Sequence, residues 1–213
     1  MSLNDWCIKK IQEHDKVTEV EKVNEDTLRI KVVDGIGDGF LILTRSEEFS
    51  TVDSIDVISL GSFDFFLNIK KDAHIAGELL TLASLYNFAI GDLSDLYRAL
   101  KEKEISNYIN PNISYIIRGL EQHSRVEDFS RLDNRRFRIK RKGLDDVTII
   151  ALDNYDLTAD IVRSAIEKYG KFDAIFTSNP NCQRAKSCEI VAADAELKIL
   201  SWGELMGELN RKW

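Results

Sequence analysis

The chain has 213 residues, 44% of them hydrophobic and 31% charged, with only 2 prolines, 11 glycines and a formal net charge of −7. This is the composition of one large or two small globular domains. It excludes a disordered, collagen-like or disulfide-framework chain, and no apolar run approaches the roughly 18 residues of a membrane span.

The start of the chain, Met1 to Trp6, lacks the basic stretch and apolar run of a secretory signal, so a soluble, cytoplasmic protein is expected. The first helix carries Trp6 and Ile11 and ends near His14. A strand through Arg29–Lys31 follows, and Gly35, Gly37 and Gly39 read as a hairpin turn before the strand Ile42–Arg45. Val52–Leu60 has only a short amphipathic pattern and is assigned to helix by comparison with its counterpart in the second half. Asp72 is expected to cap a helix holding Ile75, Leu79, Leu82 and Tyr86. Asp92 with Asp95 caps the next, which holds Leu93, Leu96, Tyr97 and Leu100.

In the second half, Asn112 is placed as the cap of a helix with Ile113, Ile116, Ile117 and Leu120 on one face. Arg136–Lys140 alternates as a strand, and the mostly β-branched run Val147–Leu152 reads as a buried one. Thr158 caps a helix with Ile161, Val162, Ala165, Ile166 and Tyr169. Phe172–Thr177 is a strand ending in the turn residues Ser178, Asn179, Pro180 and Asn181. A helix through Ala185, Cys188 and Ala192, the strand Leu197–Leu200 and a helix opened by the Ser201/Glu204 capping pair complete the chain.

The two halves repeat. Gly61, Phe63 and Asp64 recur as Gly170, Phe172 and Asp173, an offset of 109. The same shift carries Arg29–Lys31 onto Arg138–Lys140, and His14 and Val17 onto His123 and Val126, with no gap required. The chain therefore divides into repeats at 1–106 and 110–213, with a short polar joint near Ser106–Asn112. Each repeat is expected to be a small three-layer α/β module, α-β-β-α-β-α-β-α, and the two to be related by a pseudo-two-fold.

From Val147 onward the order is strand, helix, strand ending in small hydroxyl residues, helix, short strand, last helix. In this it resembles the back half of Mrr-like, modification-dependent restriction endonuclease domains. The resemblance implies a divalent metal held by an acid on one strand and a Glu/Gln-x-Lys on the next. Those residues are missing. The second strand reads Ala151, Leu152, Asp153, Asn154 in one half and Ile42, Leu43, Thr44, Arg45 in the other, and the preceding strand offers Lys140 and Lys31. The resemblance thus implies a nuclease-like scaffold without its active site.

Ligands of open α/β sheets sit at the carboxyl ends of strands. In the second half those ends bring Asp153, Asn154, Tyr155 and Asp156 beside Thr177, Ser178, Asn179 and Asn181, a set able to hold a polar ligand or a cation, or simply to serve as caps and turns. The first half supplies Thr44, Arg45, Ser46 and Glu47 beside Asn68, Lys70 and Lys71. A basic stretch at 118–142, with Arg131, Arg135, Arg136, Arg138 and Lys140 at its centre, suits nucleic acid, an acidic partner, or the acidic segment of the first half. His14 and His123 read as helix-end residues. Cys7, Cys182 and Cys188 have no zinc spacing and read as small buried thiols. Two functions stay open: a non-catalytic binding or regulatory module, and a metal-dependent nuclease or phosphodiesterase with a displaced site and a divalent cation.

Overall fold

The computed structural model describes residues 2–33, 38–55 and 61–213. The chain forms two compact units, Met1–Asn110 and Pro111–Trp213. The first opens with helix α1 (Leu3–Gln12), where the Ser2 hydroxyl accepts from Asp5 N (3.2 Å) and the Asp5 carboxylate accepts from Ser2 N (2.9 Å). Strands β1 (Val17–Lys22), β2 (Thr27–Val32) and β3 (Phe40–Arg45) follow as an antiparallel meander. Then come β4 (Phe49–Ser50), a 3-10 turn at Val52–Ser54, β5 (Phe65–Asn68), β6 (His74–Ile75), α2 (Gly77–Tyr86), β7 (Ala89–Gly91) and α3 (Leu93–Glu102). The sheet order is β1-β2-β3-β5-β7, with β5 parallel to β3 and β7 parallel to β5.

The second unit repeats the plan with α4 (Pro111–Gln122), β8 (Val126–Arg131), β9 (Arg136–Arg141), β10 (Leu144–Leu152), β11 (Asp156–Leu157), α5 (Ala159–Tyr169), β12 (Ala174–Thr177), β13 (Gln183–Arg184), α6 (Lys186–Asp194), β14 (Lys198–Leu200) and α7 (Trp202–Glu208). Its sheet runs β14-β12-β10-β9-β8. The architecture is α/β and duplicated: two similar five-stranded mixed sheets, each covered by helices.

The central strands are apolar on both faces because helices cover both. Phe65 and Leu67 of β5 pack with Cys7 and Ile11 of α1 and Leu96 and Leu100 of α3, while Phe66 packs oppositely with Leu79 and Ala83 of α2. In the second unit Phe176 joins Ile116, Leu120 and Leu205, and Ile175 joins Val162, Cys188 and Ala192. Each such large side chain, fully buried, stabilises its unit by about 1.5–3 kcal/mol.

Several expectations are corrected. Among the described residues each five-stranded sheet has one strand more than the hydrophobic pattern shows, the edge strands β1 and β8, and each unit adds a two-stranded pair, β4 with β6 and β11 with β13. Glu19, Glu21, Glu127 and Asp128 give β1 and β8 the charged look of loops, which is also how edges are protected from pairing with other chains. Asp72 is not the N-cap of α2: it lies in a turn at φ 54, α2 begins beyond Ala76, and Ile75 pairs as a strand with Ser50. Asn112 lies inside α4, which opens on Pro111, where a missing N–H costs nothing. Of the helix assigned to Val52–Leu60, residues 52–54 form the 3-10 turn and 56–60 lie outside the described residues, as do Gly35 and Gly37. Gly39 holds the hairpin at φ +90, and a Cβ there would lie 2.4 Å from the Ile30 carbonyl oxygen. The segment read as a polar joint is docked. Ile105 and Tyr108 are buried in the first core, and the Tyr108 hydroxyl donates to Asp95 at 2.8 Å.

The register of the repeat is also refined. β1, β2, β5, β6 and β7 fall on β8, β9, β12, β13 and β14 at the offset of 109. β3 and β4 fall on their counterparts at 107, because Ile42 pairs with Phe65 where Ile149 pairs with Ala174. A side-chain clip agrees: Leu41 N donates to Asp64 (2.8 Å) and Thr148 N to Asp173 (2.6 Å). The first unit has two extra residues between β2 and β3, and the second has two extra between β11 and β12.

Two predictions follow from helix packing and capping. Trp202 of α7 lies against Gly119 of α4 so closely that a Cβ would meet the indole at 2.1 Å, whereas a Cβ at Gly207 meets nothing within 4 Å. Gly119→Ala is expected to lower unfolding free energy by about 1–3 kcal/mol in urea titrations, and Gly207→Ala to raise it by about 0.5–1 kcal/mol. Equal effects of the two would contradict this packing. At the α7 N-terminus, Glu204 accepts from Ser201 N (2.6 Å) and Arg184 Nη2 (2.7 Å). These bonds, the backbone one first, hold its carboxyl down to about 2. A depressed carboxyl stabilises the fold fully above its ordinary value of 4.5 and loses that contribution as pH falls through the folded value. Glu204→Gln is thus expected to be less stable than the parent at neutral pH, with the gap closing as pH falls from 4.5 toward 2. A gap independent of pH would refute the assignment.

Candidate functional site

The carboxyl edge of the second sheet collects the residues picked from sequence, and most serve the backbone there. Asp153 is 57% exposed, pairs with Arg135 Nη1 at 3.4 Å, and its carbonyl accepts from Asn179 Nδ2 at 3.4 Å. Ser178 Oγ donates to Leu152 O (3.2 Å), and Asn179 Oδ1 accepts from Asn181 N (2.9 Å) in an Asx turn. Thr177 is buried and donates to Leu200 O (3.3 Å), so it faces the core rather than a ligand. Asn154 and Asp156 flank the exposed Tyr155. Among the described residues, no group of three or more His, Cys, Asp or Glu side chains is placed to hold a metal ion.

Four residues of the basic stretch, Arg135, Arg136, Arg138 and Lys140, pair with acids of their own unit. Arg136 Nε donates to the buried Asp133 (2.6 Å), whose other oxygen accepts from Arg135 N and Arg136 N, and Arg136 also reaches the Tyr169 carbonyl. Arg138 binds Asp146 through two nitrogens (2.8 and 3.1 Å), and Lys140 pairs with Glu127 (2.9 Å). Arg131 lies over the Phe137 ring, and burial pushes its guanidinium down to about 10. The acidic segment of the first unit does likewise, with Glu19 on Lys31 (2.7 Å) and Asp26 on Arg45 (2.6 Å). These are cross-strand and turn pairs of the meander, and the exposed ones stabilise each hairpin only modestly.

His123 Nδ1 accepts from Arg125 N (3.2 Å), so Nε2 carries the proton and donates to Met206 O (3.0 Å) near the end of α7. His14 Nδ1 accepts likewise from Lys16 N (3.2 Å), and its ring packs on Tyr97 at 5.0 Å. Cys7 and Cys188 are buried and Cys182 is half-buried; burial raises the Cys7 thiol to about 11, far from a reactive thiolate.

The denser polar cluster lies at the same edge of the first unit. Thr44 Oγ1 lies 2.6 Å from Asn4 Oδ1 and 2.9 Å from Asp26 O, and Asn4 Nδ2 donates to Glu25 O (2.8 Å). Arg45 Nη1 donates to Asp26 Oδ2 and Thr44 O, its Nε donates to Ser54 O, and Glu47 Oε1 lies 3.7 Å from that Nε. Asn68 completes the chain. Its Oδ1 accepts from Glu47 N and Lys70 N, and its Nδ2 donates to Glu47 O and Ser50 Oγ. Asn4, Thr44, Ser50 and Asn68 are all at most 2% exposed.

The chain has no significant match to a family model, a curated protein or a solved structure.

The duplicate therefore serves as the internal comparison. With β3 and β4 aligned at 107 and the flanking elements at 109, Asn4, Thr44, Arg45 and Ser50 fall on Ile113, Ala151, Leu152 and Leu157. The same fold accepts apolar residues there, so backbone demands do not dictate the polarity of the first unit. Asn4, Asp26 and Ser50 escape a sequence reading, although the signal is present. At a uniform offset of 109, Thr44 and Arg45 meet Asp153 and Asn154, and the contrast disappears.

Asn68→Ala strands the Glu47 and Lys70 amides and takes one of two bonds from the Ser50 hydroxyl, and is expected to cost about 1–3 kcal/mol in denaturant titrations. Thr177→Val, at the equivalent position, removes one bond to Leu200 and is expected to cost about 1 kcal/mol. An Asn68 variant as stable as the parent would show that the cluster is not held together through this side chain.

Proposed function

We propose that the chain is a non-catalytic binding or regulatory protein built on a duplicated, nuclease-like α/β scaffold. Arg45 carries this reading. A metal-dependent phosphodiesterase needs carboxylates open to a divalent cation, which polarises the phosphoryl oxygen and activates the attacking water. In the first unit two acids at this edge come together, Asp26, just before β2, and Glu47, just after β3. The Arg45 guanidinium stands between them, 2.6 Å from one and 3.7 Å from the other. A fixed internal cation thus neutralises the pair a metal would use. In the second unit Leu152 takes the place of Arg45, Arg135 that of Asp26, and Asp153 closes on Arg135. The order β10, α5, β12, α6, β14, α7 supports the nuclease-like scaffold, since it is the order of elements in the resembled domains.

The test is incubation with single- and double-stranded DNA and RNA in Mg²⁺ and in Mn²⁺. All substrates are expected to stay intact. Metal-dependent cleavage that disappears in Asp26→Asn or in Asp153→Ala/Asp156→Ala would overturn the reading in favour of a nuclease with a displaced site.

A further inference from the structure

The two carboxyl edges share a backbone and differ systematically in chemistry. His74 N donates to Glu48 O (2.8 Å) in the first unit, and Gln183 N to Tyr155 O (2.7 Å) in the second, which fixes the equivalence of the two mouths. Six charged or titratable positions of the first mouth, Glu47, Glu48, Lys70, Lys71, Asp72 and His74, become Asn154, Tyr155, Asn179, Pro180, Asn181 and Gln183. The Asn179–Pro180–Asn181 turn has a local cause in its Asx bond, and Asp72 takes a positive φ that Asn181 does not. The changes at Glu47, Glu48 and His74 have no such cause, because His74 N and Gln183 N make the same backbone bond with either set. The second mouth presents an exposed aromatic ring, Tyr155 at 61%, beside the amides of Asn154, Asn181 and Gln183, with the exposed carboxylates of Asp153 and Asp156 on the same edge. Among the described residues, the Asn154 and Asn181 side-chain amides make no hydrogen bond to protein.

From this replacement we infer that the carboxyl edge of the second unit is a binding site for a neutral saccharide, the ring stacking on Tyr155 and its hydroxyls meeting the amides of Asn154, Asn181 and Gln183. The inference rests on the non-catalytic binding function proposed above and names its ligand. Each amide offers donors and an acceptor, and a sugar hydroxyl both donates and accepts. Tyrosine supplies a large, rigid amphipathic face for a ring whose other side stays wet. The charges on the same edge decide against a nucleic-acid strand. Asp153 and Asp156 are exposed acceptors, Arg135 is spent on Asp153, and phosphates would need cations in excess there. Hydroxyl donors, by contrast, suit carboxylates that can only accept.

The intact, ¹⁵N-labelled chain is titrated with maltotriose, with triacetylchitotriose and, separately, with a short oligothymidylate. At least one sugar is expected to shift the amide resonances of residues 153–157 and 179–184. Tyr155→Ala should weaken that binding by about tenfold or more, and Tyr155→Phe should retain it. Tyr155 is exposed, so both variants keep the fold, which their spectra verify. The site is refuted by the absence of shifts with both sugars, by shifts that survive Tyr155→Ala, or by oligothymidylate shifting the same amides more strongly than either sugar. Nucleic-acid cleavage in the metal assay sinks the non-catalytic reading instead, and does so whichever way the sugar titrations fall.

Discussion

The burial of two neighbouring parallel strands from both sides governs each unit. β3 with β5, and β10 with β12, are apolar on both faces, so helices must lie above and below them and polar groups are driven to their ends. The turns leaving those ends carry extensive polar chemistry at the edge of each sheet. Asp64 and Asp173 fix the other end, each accepting the backbone N–H of the strand beside it. The clip keeps the strand pair in register while the mouth above it changes.

Most of this was legible in residue order. The 109 shift, the capping pairs at Asp92/Asp95 and Ser201/Glu204, and the periodicity of α5 and α7 place the layers without any contact being known. What escaped did so for physical reasons. Edge strands bury only one side and carry charge on the other, so their alternation is diluted to the look of a loop. Two-residue strands such as β4 and β11 have no period at all, and only tertiary pairing defines them. Asp72 looked like a cap because acids before an apolar run usually are, yet β6 occupies the first residues of that run. At the candidate site, the sequence located the right edge of each sheet. It misjudged the contrast between halves, because compensating two-residue length changes are invisible to a constant offset.

Duplication separates what the fold requires from what it merely tolerates. A satisfied polar network buried in one copy, with alanine, leucine and isoleucine in the other, is not a requirement of the scaffold. The same logic applies to the mouths, where Glu47, Glu48 and His74 of one copy correspond to Asn154, Tyr155 and Gln183 of the other on equivalent strand pairs. Where the copies agree, as at the aspartate clips and the histidine turns, the role is structural. Where they disagree in a concerted way, each copy has acquired a chemistry of its own.

The docked segment after α3 bears on how the chain is made. Ile105 and Tyr108 close the first core, and Asn110 reaches Asp95 just before Pro111 begins the next helix. During synthesis, the first unit therefore lacks part of its interior until those residues clear the ribosome. Once they do, no residue is missing from its core, while the strands of the second unit have yet to emerge. Two related sequences on one chain risk exchanging strands with each other. A copy sealed by its own tail, ahead of its sibling's arrival, escapes that error by timing.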